Sequence, residues 1–242
     1  RAQDGVDGLR PGDGEAPGAL SALERARGRG RGIDEFREAL DTQPAARHTY
    51  DGEAYLDNVD AFVIIGEGDC CPSGVGSNNA SLWQFDFATM QWNWVHSETK
   101  PIGDAFVDAI GYVSGYDPVG GKLWIHDRRG LYEYNPVAKT MIRRSGGTTS
   151  DIFGYHCTGV LDPKRKKFLV FGNGEFSVFD ISGTGSYNEQ AFPTNGGSAI
   201  INSDYPGLAY DPIRDRIVAW IGGNTVYSLD MDTRQWTTAS YP

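Results

Sequence analysis

Apolar positions in this chain come in short runs. Residues 61–65 (Ala-Phe-Val-Ile-Ile), 123–126 (Leu-Trp-Ile-His), 168–171 (Phe-Leu-Val-Phe) and 217–221 (Ile-Val-Ala-Trp-Ile) are four or five residues long and bounded by turn residues, as strands covered on both faces are. Each run follows a stretch that ends in an aromatic residue or Leu, an Asp and a turn. Each is itself followed by a strand of alternating character: 82–86 (Leu-Trp-Gln-Phe-Asp), 131–135 (Leu-Tyr-Glu-Tyr-Asn), 176–180 (Phe-Ser-Val-Phe-Asp) and 226–230 (Val-Tyr-Ser-Leu-Asp). In three copies five residues then separate the Asp or Asn from a large apolar residue, namely Trp92, Met141 and Trp236, which is the spacing of a hairpin with a polar turn. The third copy has no such closing residue.

The pattern therefore repeats four times. Anchored on Asp57, Asp117, Asp162 and Asp211, the steps are 60, 45 and 49 residues. A period near 45 with four short strands per unit predicts an all-β propeller of four-stranded antiparallel blades, four of them visible and part of a larger ring. Second strands are expected at 61–65, 123–126, 168–171 and 217–221. Trp83, Tyr134, Phe179 and Trp236 are expected in the packing between blades.

The glycines that close the second strands (Gly66 and Gly68, Gly172 and Gly174, Gly222 and Gly223), the aromatic residue on the third strand, the Trp on the fourth and the Arg47-His48 opening resemble the kelch-type repeat of the galactose oxidase/kelch superfamily, in a divergent form. The likeness runs from about residue 46 to 242. The full double glycine occurs only in the last copy. The resemblance implies a propeller used for binding. A second implication is a carbohydrate-acting enzyme such as a copper radical oxidase, since Tyr155-His156 looks like the adjacent Tyr-His pair of that enzyme. The chemistry also needs a second His and a Cys joined to a Tyr. By strand alternation Cys157 points away from His156, so neither a metal nor a cofactor is expected, nor any catalytic residue.

Composition bears on partners. The 242 residues carry a formal charge of −10, 12% aromatics and 32 glycines, which suits a soluble β-protein with many turns and speaks against a nucleic-acid scaffold. The longest wholly apolar run of the repeats, 61–65, is far too short to span a bilayer. Residues 1–45 differ in composition, with Gly, Asp and Pro to residue 18 and alternating Arg from 25 to 32, and read as an irregular segment. Two short helices are expected there, at 19–26 and 33–40, the latter as the tail of a degenerate blade. The chain opens on Arg1 without an apolar leader, as a processed or partial sequence does.

Chemistry candidates are sparse. Cys70-Cys71 lie in a loop and Cys157 near a strand, a count that leaves at least one thiol unpaired within the chain. Asn79-Ala80-Ser81 is a glycosylation acceptor and points to an extracellular protein. His48 and His156 open first strands as structural residues. The repeated aspartates read as turn formers, accepting a backbone N–H two residues on. Lys164-Arg165-Lys166-Lys167 reads as a solvated hairpin tip, or a docking patch for an acidic partner. Binding is expected on the longer loops, 69–79, 127–129, 146–151 and 182–197, with Asp69, Asn78, Asn79, Arg128, Arg129 and Tyr187 as candidates for a protein or glycan partner. Further chains that complete or stack on the propeller are a third possibility.

Overall fold

A computed structural model describes residues 44, 47–49, 51–68, 80–95, 112–127, 130–145, 156–183 and 187–242. The expected N-terminal helices, the 45/46 boundary and the cysteine pair lie outside them. The described residues form four antiparallel sheets in chain order. The first blade holds β1 (Arg47–His48), β2 (Glu53–Leu56), β3 (Ala61–Gly68), β4 (Ala80–Asp86) and β5 (Gln91–Val95). The second holds β6 (Val113–Asp117), β7 (Lys122–Asp127), β8 (Gly130–Asn135) and β9 (Thr140–Arg143). Strands β10 (Thr158–Asp162), β11 (Lys167–Gly172), β12 (Glu175–Asp180) and β13 (Glu189–Ala191) make the third. After the short helix α1 (Ser198–Ile201), β14 (Gly207–Asp211), β15 (Arg216–Trp220), β16 (Thr225–Asp230) and β17 (Gln235–Ser240) make the fourth.

The five strands of the first sheet are one blade with a broken inner strand. Both β1 and β2 pair with β3, and between them the Gly52 N–H turns back onto the Thr49 carbonyl at 2.6 Å. Gly52 is required there, because a Cβ on it would lie 2.7 Å from the carbonyl oxygens of Thr49 and Ile65. The second strands fall where the apolar runs placed them. The outer hairpins pair Phe85 with Trp92, Tyr134 with Met141 and Leu229 with Trp236, as the five-residue spacing requires. In the third blade, which has no closing Trp, the outer strand shrinks to three residues reached through a longer connection.

Hydrophobic packing runs between blades. Leu56, Val63, Ile65 and Leu82 meet Leu123, Ile125, Tyr132 and Tyr134 across the first interface. Trp124 and Leu131 meet Leu161, Phe168, Val170 and Phe179 across the second. Leu169, Phe171 and Val178 meet Ile217, Ala219, Leu229 and Trp236 across the third. Successive residues of β11 thus enter opposite cores, which is why its sequence has no polar alternation. Fully burying each large side chain contributes about 1.5–3 kcal/mol.

Pairing also corrects the repeat alignment. Asp117, Asp162 and Asp211 each end an inner strand opposite Lys122, Lys167 and Arg216. The first blade puts Leu56 in that place, opposite Ala61, so Asp57 lies one residue into the turn. The left-handed residue that closes each four-residue turn confirms the shift: Asp60 (φ 47°), Gly121 (63°), Lys166 (52°) and Asp215 (56°). Asp117, Asp162 and Asp211 accept the N–H two residues on at 3.0, 3.1 and 2.9 Å. Asp57 instead accepts the hydroxyl of Tyr116 from the second blade, at 2.5 Å.

The basic run is no free hairpin tip. Lys166 reaches back to Asp117 of the second blade at 2.8 Å. Arg165 reaches forward, forking onto Asp215 and Asp232 of the fourth blade with four contacts of 2.8 Å, while holding its own Asp162 at 2.9 Å. Lys164 pairs with Asp215, and Lys167 with Asp180 at 2.7 Å. The third blade's tip therefore ties both neighbours by charge-assisted hydrogen bonds.

Candidate functional site

The inner strands β2, β6, β10 and β14 lie side by side, and at the channel mouth, the end opposite the aspartate turns, residue 51 bridges to Val113, the first residue of β6. Asp51 sits at that mouth. Its Oδ2 accepts the backbone N–H of Gly159, two blades away, at 2.6 Å, and the Ser114 main chain supplies a further hydrogen bond. The Ser114 hydroxyl donates to the Asp51 carbonyl at 2.8 Å. One carboxyl thus bridges the inner edges of three blades.

Burial raises the Asp51 carboxyl to about 7 against the opposing pull of the Gly159 and Ser114 N–H groups, with the charge of Glu53 adding to the rise. A partly buried carboxyl that titrates near neutrality beside main-chain donors can both accept and donate hydrogen bonds, and such shifted groups concentrate at functional sites. Nothing local in the sequence marks Asp51. Its role depends on where a glycine of the third blade falls, and the one available signal is a lone acidic residue at the break of an inner strand.

Nearby, His156 precedes β10 rather than lying on it. Its Nδ1 is 3.1 Å from Asp204 Oδ1, and its ring lies 5.5 Å from that of Tyr205. Gly172 packs against it: a Cβ there would meet the His156 carbonyl oxygen at 2.2 Å, on a backbone with φ +142°. Cys157 is buried, with its Sγ 3.6 Å from the Gly172 carbonyl, and burial pushes the thiol up to about 12. At that value it is neither a nucleophile nor a ready ligand at neutral pH. Among the described residues no group of three His, Cys, Asp or Glu is placed to hold a metal.

A second polar patch lies at the rim between the second and third blades. Tyr187 is partly buried, its ring stacked on Trp124 at 5.8 Å with the Arg144 guanidinium 5.5 Å from its centre. Arg144 is held by Glu133 at 2.6 Å. The Trp124 indole N–H and His126 Nε2 are buried there and find no hydrogen-bond partner among the described residues. Burial lowers His126 to about 3, so it is a neutral ring packed on Phe179. Of the loop candidates, Tyr187 alone falls within the described residues; Asp69, Asn78, Asn79, Arg128 and Arg129 lie outside them. No helix among the described residues is long and apolar enough to cross a membrane.

No family model matches the chain, and no curated protein matches it. Solved structures match it in shape. An auxiliary nutrient binding protein from Bacteroides ovatus superposes with a TM-score of 0.52 at 11% identity, over 82% of this chain and 44% of its own. A protein of unknown function from Bacteroides thetaiotaomicron gives 0.51 at 13% identity, over 83% and 46%. A chain of the Mitotic Checkpoint Complex gives 0.51 at 13%, over 83% and 52%. The chain spans about half the length of these proteins. At such identities the likeness is one of fold, and the fold is that of a β-propeller.

Proposed function

We propose that the chain is a non-enzymatic, kelch-like binding module that takes a protein or carbohydrate ligand at the channel mouth around Asp51. The observation that carries this is the Asp51 carboxyl itself, held by main-chain N–H groups of two other blades and raised to about 7. Three rigid blades fix that group in place, which keeps the entropy cost of binding low. A carboxyl able to switch between donor and acceptor suits hydroxyl-rich ligands and backbone amides. Loops 69–79 and 146–151, rich in Gly, Ser, Thr and Asn, remain candidates for further polar contacts on sequence grounds. The glycine-closed second strands and the paired outer aromatics support the kelch-like reading, and two solved structures of similar fold carry the name of nutrient binding proteins.

The test is a panel of oligosaccharides and peptides screened by calorimetry against the wild type, Asp51→Asn and Asp51→Leu. Binding that weakens tenfold or more in the leucine variant and less in the asparagine variant supports the site. Binding indifferent to both places the ligand elsewhere and ends this reading. Release of hydrogen peroxide from a sugar by copper-loaded protein would promote the oxidase alternative.

A further inference from the structure

The junction between the second and third blades is built differently from the two that flank it. From the second strand of each blade, two side chains enter the junction with the next. The first blade supplies Val63 and Ile65 and the third supplies Leu169 and Phe171, all four fully buried. At the same register positions of β7 the second blade has Trp124 and His126, two residues apart and therefore on one face. Trp124 lies in the apolar core of the second junction, and the His126 ring is 4.8 Å from that of Phe179. Each brings a ring nitrogen that its aliphatic and phenyl counterparts lack.

The facing side departs in the same sense. On β12, Ser177 pairs with Val170 and so stands where the second and fourth blades have Tyr132 and Tyr227. Glu189 of β13 pairs with Phe179, in the place of Met141 and Trp236. A serine and a glutamate thus replace two larger side chains of the flanking junctions. The Trp124 indole and the Tyr187 ring stacked on it at 5.8 Å take up part of the room. The Ser177 hydroxyl donates to Glu189 Oε1, and Arg144 Nε donates to Glu133 at 2.7 Å, so these polar groups satisfy one another.

Two polar atoms are left over. Trp124 Nε1 and His126 Nε2 find no hydrogen-bond partner among the described residues, although the two side chains are only 4% and 1% exposed. Leaving such a group unpaired at that depth costs free energy, and in native interiors an ordered water making about three hydrogen bonds supplies the partner. The chemistry of the two atoms selects a neutral partner. The indole nitrogen donates only, and the imidazole, kept neutral by burial, carries one donor and one acceptor nitrogen. A molecule that both accepts and donates therefore serves either tautomer. A cation would be repelled by the indole N–H, and an anion would meet an uncharged imidazole and an Arg144 already paired with Glu133.

We infer that the second junction is a binding site for ordered water, which accepts the indole N–H of Trp124 and bonds Nε2 of His126. Where the flanking junctions close this layer with hydrocarbon, the second closes it with water.

Nuclear magnetic resonance of the full chain with isotope-labelled tryptophan decides the matter. The chain has six tryptophans, and the Trp124 indole signal is the one lost in Trp124→Phe. In the wild type it is expected to show a nuclear Overhauser peak at the water frequency whose rotating-frame counterpart has the opposite sign, the mark of bound water as against proton exchange. The peak should persist in Tyr187→Phe and Ser177→Ala, which remove hydroxyl protons able to imitate it. It should fall by about threefold or more in His126→Phe, which takes away one of the water's bonds and puts at this position the ring that β11 carries as Phe171. Unmoved signals from the other tryptophans show that each variant keeps its fold. Absence of the peak in the wild type overturns the inference without recourse to any variant. A peak undiminished in a folded His126→Phe overturns it as well, and so does one that vanishes in Tyr187→Phe or Ser177→Ala, because the partner is then a hydroxyl of the protein.

Discussion

Asp51 and the left-handed turn residues show how a single side chain acquires its properties from its position. Because the folded Asp51 carboxyl titrates at about 7, above the roughly 3.9 of an unfolded aspartate, folding takes up a proton between those values. That contribution to stability is complete below about pH 4 and is lost as pH rises toward 7, with a slope of up to about 1.4 kcal/mol per pH unit. Asp51→Asn should therefore gain more stability over the wild type at about pH 8 than at about pH 5. Parallel urea midpoints for the two proteins across that range would show that another group titrates. Met90 sits at φ 55° and is 65% exposed. A side chain in that conformation costs about 1–2 kcal/mol, of which the glycine's extra unfolded-state entropy takes back about 0.5–1 kcal/mol, so Met90→Gly should stabilise the protein by up to about 1 kcal/mol, read as a higher urea midpoint.

Hairpin tips add ionic ties between blades to the apolar cores. Asp162 is fully buried, and the guanidinium of Arg165 offsets its charge while gripping two carboxylates of the fourth blade. Arg165→Ala leaves that buried carboxylate uncompensated and should cost about 3 kcal/mol at neutral pH. The hydrogen bonds from Arg165 and Lys164 hold Asp215 well below the usual carboxylate range. Its stabilisation is present above about pH 4 and fades as pH falls below that, so the gap between variant and wild type should narrow in acid. A gap that holds constant down to about pH 2 would show that packing by the arginine stem, not the ion pairs, is what the variant lost.

Among the described residues of the whole molecule, apolar burial concentrates in three cores between blades. Trp236 illustrates this. It is 5% exposed, edge-on to Phe171 of the preceding blade, with its indole N–H on Thr194 at 3.1 Å. Trp236→Ala should cost about 3–5 kcal/mol in chemical denaturation. The loss should loosen the third and fourth blades together, so hydrogen exchange ought to speed up in both β11 and β15. Faster exchange confined to the fourth blade would mean that blades unfold one at a time.

Strand positions, the four-strand unit and the inter-blade aromatics Tyr134, Phe179 and Trp236 were legible in the sequence because they follow from local periodicity and turn chemistry, which act over a few residues, whereas Trp83, expected in the same packing, lies on the face of β4 turned away from the second blade. The same local rules misplaced Asp57. It looks like the other repeat aspartates, and only pairing opposite Ala61 shows that it sits one residue along. They also left Lys164-Arg165-Lys166-Lys167 as a surface tip, since its carboxylate partners lie up to 67 residues away in the chain. Asp51 could not be found at all: the N–H it accepts lies 108 residues off. Periodicity set which residues form strands and which faces are apolar. Only the stacking of blades decided which charges meet, because Coulombic and hydrogen-bond partners depend on distance in space, and a one-residue difference in register turns a side chain to the opposite face.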